Sequence, residues 1–287
     1  MLKGFLEEFV AGVQPPLPLA AGVTVEAVTI GGANIHALHG RVGFDGGKGW
    51  SLDDFTFRAP GYTAVAVSAR LGASAQGFTL SGPASVESAD LKVLVAWLEG
   101  RGDQPSGPAQ SMSARGNVTI ANDGFVLDHL SAEFDQEKVE GRLAYTLAVG
   151  NRPAALDGEL RAVKLDVDAL SGFAKAAAAD STLEVPHEIT LALDVGKATF
   201  AGVDARAVNA RLKFNAGILR IDRLSIGDLG GAALDASGRI DELSSQPRGQ
   251  LTLDVSASTL AGIDQSRRTL RGDSRFAAAA GRAIGAG

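Results

Sequence analysis

Chemistry in a protein rests on few residue types, and this chain of 287 residues holds four histidines and no cysteine. Without cysteine there is neither a disulfide framework nor a thiolate metal site. His36 and His39 stand three apart in a segment of strand character, where a regular strand would send them to opposite faces, unable to share a metal. His129 and His187 lie far off in sequence and read as structural or solvated. Three aspartates, Asp53, Asp128 and Asp222, recur at one place in a repeated motif. A single active site has no use for three copies, so they point to turn or strand-face duty. Arg101-Gly102-Asp103 and Arg271-Gly272-Asp273 spell a cell-adhesion tripeptide twice, a coincidence to be expected where Gly, Arg and Asp are common. Asn117-Val118-Thr119 matches a glycosylation acceptor but falls in a strand-like run, and Gly227-Asp228-Leu229-Gly230-Gly231 lacks the Lys-Ser/Thr ending of a phosphate loop. No nucleophile–base pair, metal cluster or cofactor loop assembles from these motifs. The expectation is a protein that is not an enzyme and uses neither metal nor cofactor.

What the chain does repeat is a scaffold. Gly49-Trp50-Ser51-Leu52-Asp53-Asp54-Phe55-Thr56, Gly124-Phe125-Val126-Leu127-Asp128-His129-Leu130-Ser131 and Gly217-Ile218-Leu219-Arg220-Ile221-Asp222-Arg223-Leu224-Ser225 share one pattern. It reads Gly, apolar, a spacer, Leu or Ile, Asp, any residue, Leu or Phe, then Ser or Thr, and such self-similarity marks a repeat architecture. At a nearly constant distance after each copy stands a Gly expected to open a strand, Gly82, Gly158 and Gly249, with Arg70-Leu71, Arg142-Leu143 and Arg239-Ile240 between. Gly32 to Phe44 and Gly202 to Phe214 match in length, with Arg41 and Arg211 at equivalent places.

Composition fits an ordered, strand-rich chain, 45% hydrophobic and 21% charged with 36 glycines, long enough to bury a sizeable core. A net charge of −6, spread along the chain, excludes the broad electrostatic attraction that nucleic-acid binders use and argues against an anionic membrane surface as partner. The periodicity is two. Val139, Leu143, Tyr145, Leu147 and Val149 alternate with polar residues, as do Ile189, Leu191, Leu193 and Val195, then Val208, Ala210, Leu212 and Phe214, then Leu251, Leu253 and Val255. These are half-buried strands with one apolar face. Asn122-Asp123-Gly124, Asn215-Ala216-Gly217, Pro60-Gly61 and Gly230-Gly231 mark hairpin turns between them. Helical interruptions are expected at 89–99 and 167–180.

The boundaries read as 1–16, a helix ending a preceding repeat plus the Pro15-Pro16 linker; 17–100, repeat one; 101–181, a Gly/Pro/Ser linker and repeat two; 182–265, repeat three; and 266–287, a tail. No run is long enough for a transmembrane helix, and Met1 to Val10 has no secretion-signal core. The expectation is a fragment of a longer array, its targeting or membrane-anchoring part upstream.

Ala210-Arg211-Leu212-Lys213-Phe214-Asn215-Ala216-Gly217-Ile218-Leu219-Arg220-Ile221-Asp222-Arg223-Leu224-Ser225, followed by Gly230-Gly231-Ala232 and Gly238-Arg239-Ile240, resembles the C-terminal repeat region of bacterial AsmA-like (AsmA/TamB-type) envelope proteins. The helix-opening Asp90-Leu91-Lys92-Val93-Leu94 belongs to the same likeness, which covers most of the chain in three units. The resemblance implies a mostly β fold: an elongated, curled antiparallel sheet of tandem repeats with short helices at repeat ends. It implies a periplasmic location, attachment to the inner membrane through an N-terminal helix absent from this sequence, and an apolar groove for phospholipid acyl chains moving toward the outer membrane.

On the residues alone, two short helices are too few to cover roughly fourteen strands. Either the sheet curls into a closed core, giving a structural scaffold or adhesin-like interaction module, or the apolar face stays open as a groove. The groove candidates are Leu143, Tyr145, Leu147, Leu191, Leu193, Val208, Ala210, Leu212, Phe214, Leu251 and Leu253. A transmembrane β-barrel would need aromatic girdles that 6% aromatic residues do not supply, and solenoid coils would be shorter and more even than these repeats.

Overall fold

A computed structural model describes residues 17–30, 32–46, 49–74, 77–98, 109–134, 137–168, 186–200, 202–242 and 248–257. The expected terminal helix, the linker at 101–108, the helix beyond Asp168 and the tail lie outside them. The chain divides into two compact units, Met1–Gln136 and Glu137–Gly287, a division that falls inside the second sequence repeat.

The first unit carries seven strands: β1 (Leu19–Ile30), β2 (Ala33–Phe44), β3 (Trp50–Ala59), β4 (Thr63–Ser74), β5 (Gly77–Ser88), β6 (Met112–Ala121) and β7 (Gly124–Phe134), with one helix, α1 (Leu91–Leu98), before β6. The second carries β8 (Glu137–Thr146), β9 (Ala155–Asp166), β10 (Glu188–Phe200), β11 (Val203–Asn215), β12 (Ile218–Leu229), β13 (Ala232–Asp241) and β14 (Arg248–Ala257). The fold is mostly β. Within each unit every strand pairs with its neighbour in sequence, making a curled, unclosed meander, antiparallel throughout the first unit. One pair in the second departs from the antiparallel rule, for β9 and β10 run parallel, with Leu191 beside Gly158 and Leu193 beside Leu160. A parallel pair needs a crossover of a dozen or more residues, which the chain between Asp166 and Glu188 provides.

The tight turns have a simple cause. Gly230 and Gly231 join β12 to β13 with φ of 65° and 95°, and two successive positive φ values give the turn whose twist suits a two-residue hairpin. The repeated motif proves to be a β-bulge. Register shifts between Leu52 and Phe55 on β3, across from Asn117 and Arg115 on β7, and between Ile221 and Leu224 on β12, each time at the Asp-x-Leu/Phe step. In the first two copies the middle residue takes positive φ, 54° at Asp54 and 52° at His129. The extra residue lets both Leu52 and Phe55, or Ile221 and Leu224, face the same side, which a regular strand forbids.

A second kink at Ala37, with φ of 51°, corrects the reading of the histidines: both His36 and His39 are exposed on the face opposite Ile35 and Leu38. Gly82 and Gly158 do not open strands but sit within β5 and β9. Neighbouring main chains come so close there that a side chain at Gly82 would strike the Ser68 carbonyl.

Helix α1 is tied to the end of the first sheet. The Asp90 N–H donates to the Gly61 carbonyl at 3.1 Å and the Leu91 N–H to the Gln110 carbonyl at 2.9 Å, burying Leu91, Leu94 and Ala96. Below the same turn, Thr63 is wholly buried. Its hydroxyl donates to the Pro60 carbonyl at 2.7 Å and lies 2.8 Å from the Ser88 hydroxyl. Thr63→Val keeps the shape but leaves Ser88 and Pro60 short of a partner, so denaturant unfolding should show a loss of about 1–3 kcal/mol.

Candidate functional site

The strand registers decide which side chains share a face. In the second unit, Leu143 stands opposite Gly158, Gly158 beside Leu191, Leu191 opposite Leu212, Leu212 opposite Ile221, Ile221 opposite Gly238 and Gly238 opposite Leu251. The row beside it runs Gly141, Leu160, Leu193, Ala210, Leu224, Ala236, Leu253. A third runs Val139, Ala162, Val195, Val208, Ile226, Leu234, Val255, and a fourth Tyr145, Leu156, Ile189, Phe214, Leu219. No charged or polar side chain interrupts these rows from β8 to their last members.

Ten of the eleven sequence candidates therefore lie on one face. The eleventh, Leu147, does not sit in a strand: β8 ends at Thr146, and Val149 pairs with Arg152 in an isolated bridge that turns the chain. Alternation through Val149 was real, yet Gly150-Asn151 demands a turn that breaks the ladder early. The sequence candidates omitted Leu160, Leu224, Ile226 and Leu234, the row members on strands where Asp, Gly and the bulge blur period two. The bulge motif itself was the signal that could have found Leu224, since it resets the alternation there.

Packing on this face is partial. Tyr145, Val195 and Ala210 are buried, whereas Leu143, Leu191, Leu193, Val208, Leu212 and Phe214 are only half-buried. Leu251 and Leu253 on β14 are 54% and 49% exposed. Among the described residues no second sheet layer covers the rows. The first unit has the same construction, with Leu19, Phe44, Trp50, Leu71, Leu80, Ile120 and Phe125 in one row. Its centre is denser, for Phe44, Trp50, Leu71 and Phe78 form a buried cluster with the Phe44 and Trp50 rings 5.0 Å apart.

The opposite face is polar and laced with ion pairs. Lys213 reaches Asp222 at 2.9 Å, Lys197 reaches Asp204 at 2.7 Å and Arg41 reaches Asp54 at 2.8 Å. The hydrogen bond from Lys213 holds the Asp222 carboxyl below its ordinary value of 3.8, and those from Lys197 and Thr199 do the same for Asp204. A depressed carboxyl stabilises the fold fully above its unfolded value and loses that contribution as pH falls through the folded one. Asp222→Asn should thus unfold at lower urea than the wild type at neutral pH, with the gap narrowing in acid below 3.8. Because the group is exposed, the gap will be small and salt-sensitive.

A shallow, open concavity of about 500 Å³ lies in the first unit between the bulges, lined in part by Asp54, Ser68, Arg115, Asn117 and His129. Its Ser68 Oγ accepts the Asp54 N–H at 3.0 Å, and the Asp54 carboxylate is held by Arg41. Among the described residues no group of three or more His, Cys, Asp or Glu is placed to hold a metal ion, and no helix is long and apolar enough to cross a membrane. The tripeptides at Arg101 and Arg271 lie outside the described residues. No family model, curated protein or solved structure matches the chain.

Proposed function

We propose that this chain is a non-enzymatic, AsmA-like repeat module whose apolar sheet face holds the acyl chains of phospholipids, serving lipid binding or transport between the two membranes of a bacterial envelope. The observation that carries this reading is the set of apolar rows running across β8 to β14, most of whose members are half-buried or exposed rather than closed over among the described residues. A polar break would stop a hydrocarbon tail, and these rows have none. Burial of each methylene contributes on the order of 0.8 kcal/mol, so a tail lying along even part of a row would be held. Headgroups would stay in water at the sheet margin. The periplasm is the proposed location, with the inner membrane as the proposed partner.

Native mass spectrometry of the purified chain tests the reading directly. Phospholipid should co-purify and leave on detergent exchange. A lipid-free protein whose stability and mass are indifferent to added phospholipid would sink the groove and favour a closed structural scaffold, the function to which the buried Phe44–Trp50–Leu71–Phe78 cluster would then belong.

A further inference from the structure

We infer that the polar face of the second unit carries a phosphate-binding site centred on Arg211 and Arg223, separate from the acyl-chain face. Arg211 on β11 stands directly opposite Arg223 on β12. Like charges placed opposite one another in a sheet are destabilising, their Cβ atoms only about 4.5–5.5 Å apart. The first repeat shows the ordinary solution: there Arg41 stands opposite Asp53 and makes an ion pair at 2.8 Å with the next residue, Asp54, which matches Arg223 in the motif. The third repeat puts an arginine where the first has that aspartate. The side chains of Arg211 and Arg223 make no ion pair or hydrogen bond among the described residues, although those of Lys213, Arg220 and Arg239 nearby all make ion pairs. Breaks in a local rule of this kind are expected at functional or strained sites.

The next outward pair on the same two strands is Asn209 opposite Ser225, two neutral donors beside the guanidiniums. Asp194 and Asp235 flank the patch one strand further out, opposite Asn209 and Ser225 respectively. Neither forms an ion pair with the arginines, and they confine the positive potential to the space between β11 and β12. Two guanidinium forks call for two negative charges on one centre. A carboxylate supplies one, as Asp54 does for Arg41, whereas a phosphomonoester supplies nearly two with three acceptor oxygens. The ligand chemistry is therefore a phosphate group, carried either by a soluble phosphate ester or by a lipid headgroup at a membrane surface.

The test titrates inorganic phosphate into the full chain at constant ionic strength, following the Arg211 and Arg223 side-chain resonances and the melting temperature. Wild type should show a saturable shift and melt higher in phosphate than in chloride. Arg211→Gln should weaken the response about tenfold or more. Arg223→Asp should abolish it and also raise the melting temperature in chloride, because Arg211 then acquires the carboxylate that Arg41 already has. Asp235→Asn should tighten phosphate binding. Flotation with phosphatidic acid vesicles against phosphatidylcholine vesicles separates the sources: selective flotation assigns a headgroup, and phosphate binding without flotation assigns a soluble ester. Absence of a wild-type response, or a response in Arg211→Gln and Arg223→Asp as strong as that of the wild type, overturns the site.

Discussion

Leu193→Asp is expected to retain the β-sheet circular dichroism of the wild type while co-purified phospholipid falls by about tenfold or more. Leu193 lies between Leu160 and Ala210 in the middle of its row and packs on the cluster of Leu165, Val195 and Ala198. A carboxylate there faces the tails with no cation in the described rows to pair with, so any tail alongside must withdraw or strip it of water. Withdrawal of about two methylenes already costs on the order of 1.6 kcal/mol, or about a factor of ten in affinity. Thr190 points to the other face, so Thr190→Asp should leave tail occupancy unchanged. Equal loss in both variants would show that general destabilisation, not a groove, governs the lipid signal. Leu212→Asp, in the adjoining row, repeats the test at an independent position.

Gly238→Ala is expected to lower the unfolding free energy by about 3–5 kcal/mol, the sum of backbone strain and overpacking. Gly238 occupies the row position between Ile221 and Leu251, beside the third bulge, with φ of 150°. A Cβ at this position would fall on the Gln250 carbonyl oxygen and crowd Leu251, both held by the β13–β14 ladder. Gly22 on β1 is the control, for a Cβ there meets nothing within 4 Å. Gly22→Ala should change stability by no more than about 0.5 kcal/mol. Urea denaturation of the two variants separates a glycine needed for close approach from one that is merely tolerated; similar midpoints would contradict the bulge geometry.

The strands were legible because burial on one face writes itself as alternation: Ile189 to Val195 and Val208 to Phe214 fall opposite one another as their periodicity requires. The repeat was equally plain, but its meaning was not. Spacing records that Asp53-Asp54-Phe55 and Asp128-His129-Leu130 are equivalent, and says nothing of the positive φ at Asp54 and His129 that makes them bulges. Ala37 misled for the same reason, since a non-glycine residue in a left-handed conformation carries no compositional mark, and one such residue reverses the facing of everything beyond it. The parallel joining of β9 to β10 escaped because hairpin turns dominate the chain, although a helix-compatible stretch between two strands is the usual sign of a crossover. The phosphate site was hidden in the motif: Arg211 and Arg223 become neighbours only once the bulge fixes the register.

That single parallel joint also sets an order of assembly. The pairs from β10 to β13 are linked by turns of a few residues, and hairpins of this kind close in about 1–10 μs. Joining β9 to β10 instead requires the whole stretch from Asp166 to Glu188 to be brought back on itself, with the entropy of a larger loop to overcome. The β8–β9 hairpin and the β10–β14 meander are therefore separate kinetic blocks that dock late. In pulsed amide exchange during refolding, protection should reach Leu212 and Ile221 before it reaches the amides that bond β9 to β10, and a lipid arriving early would meet half a groove.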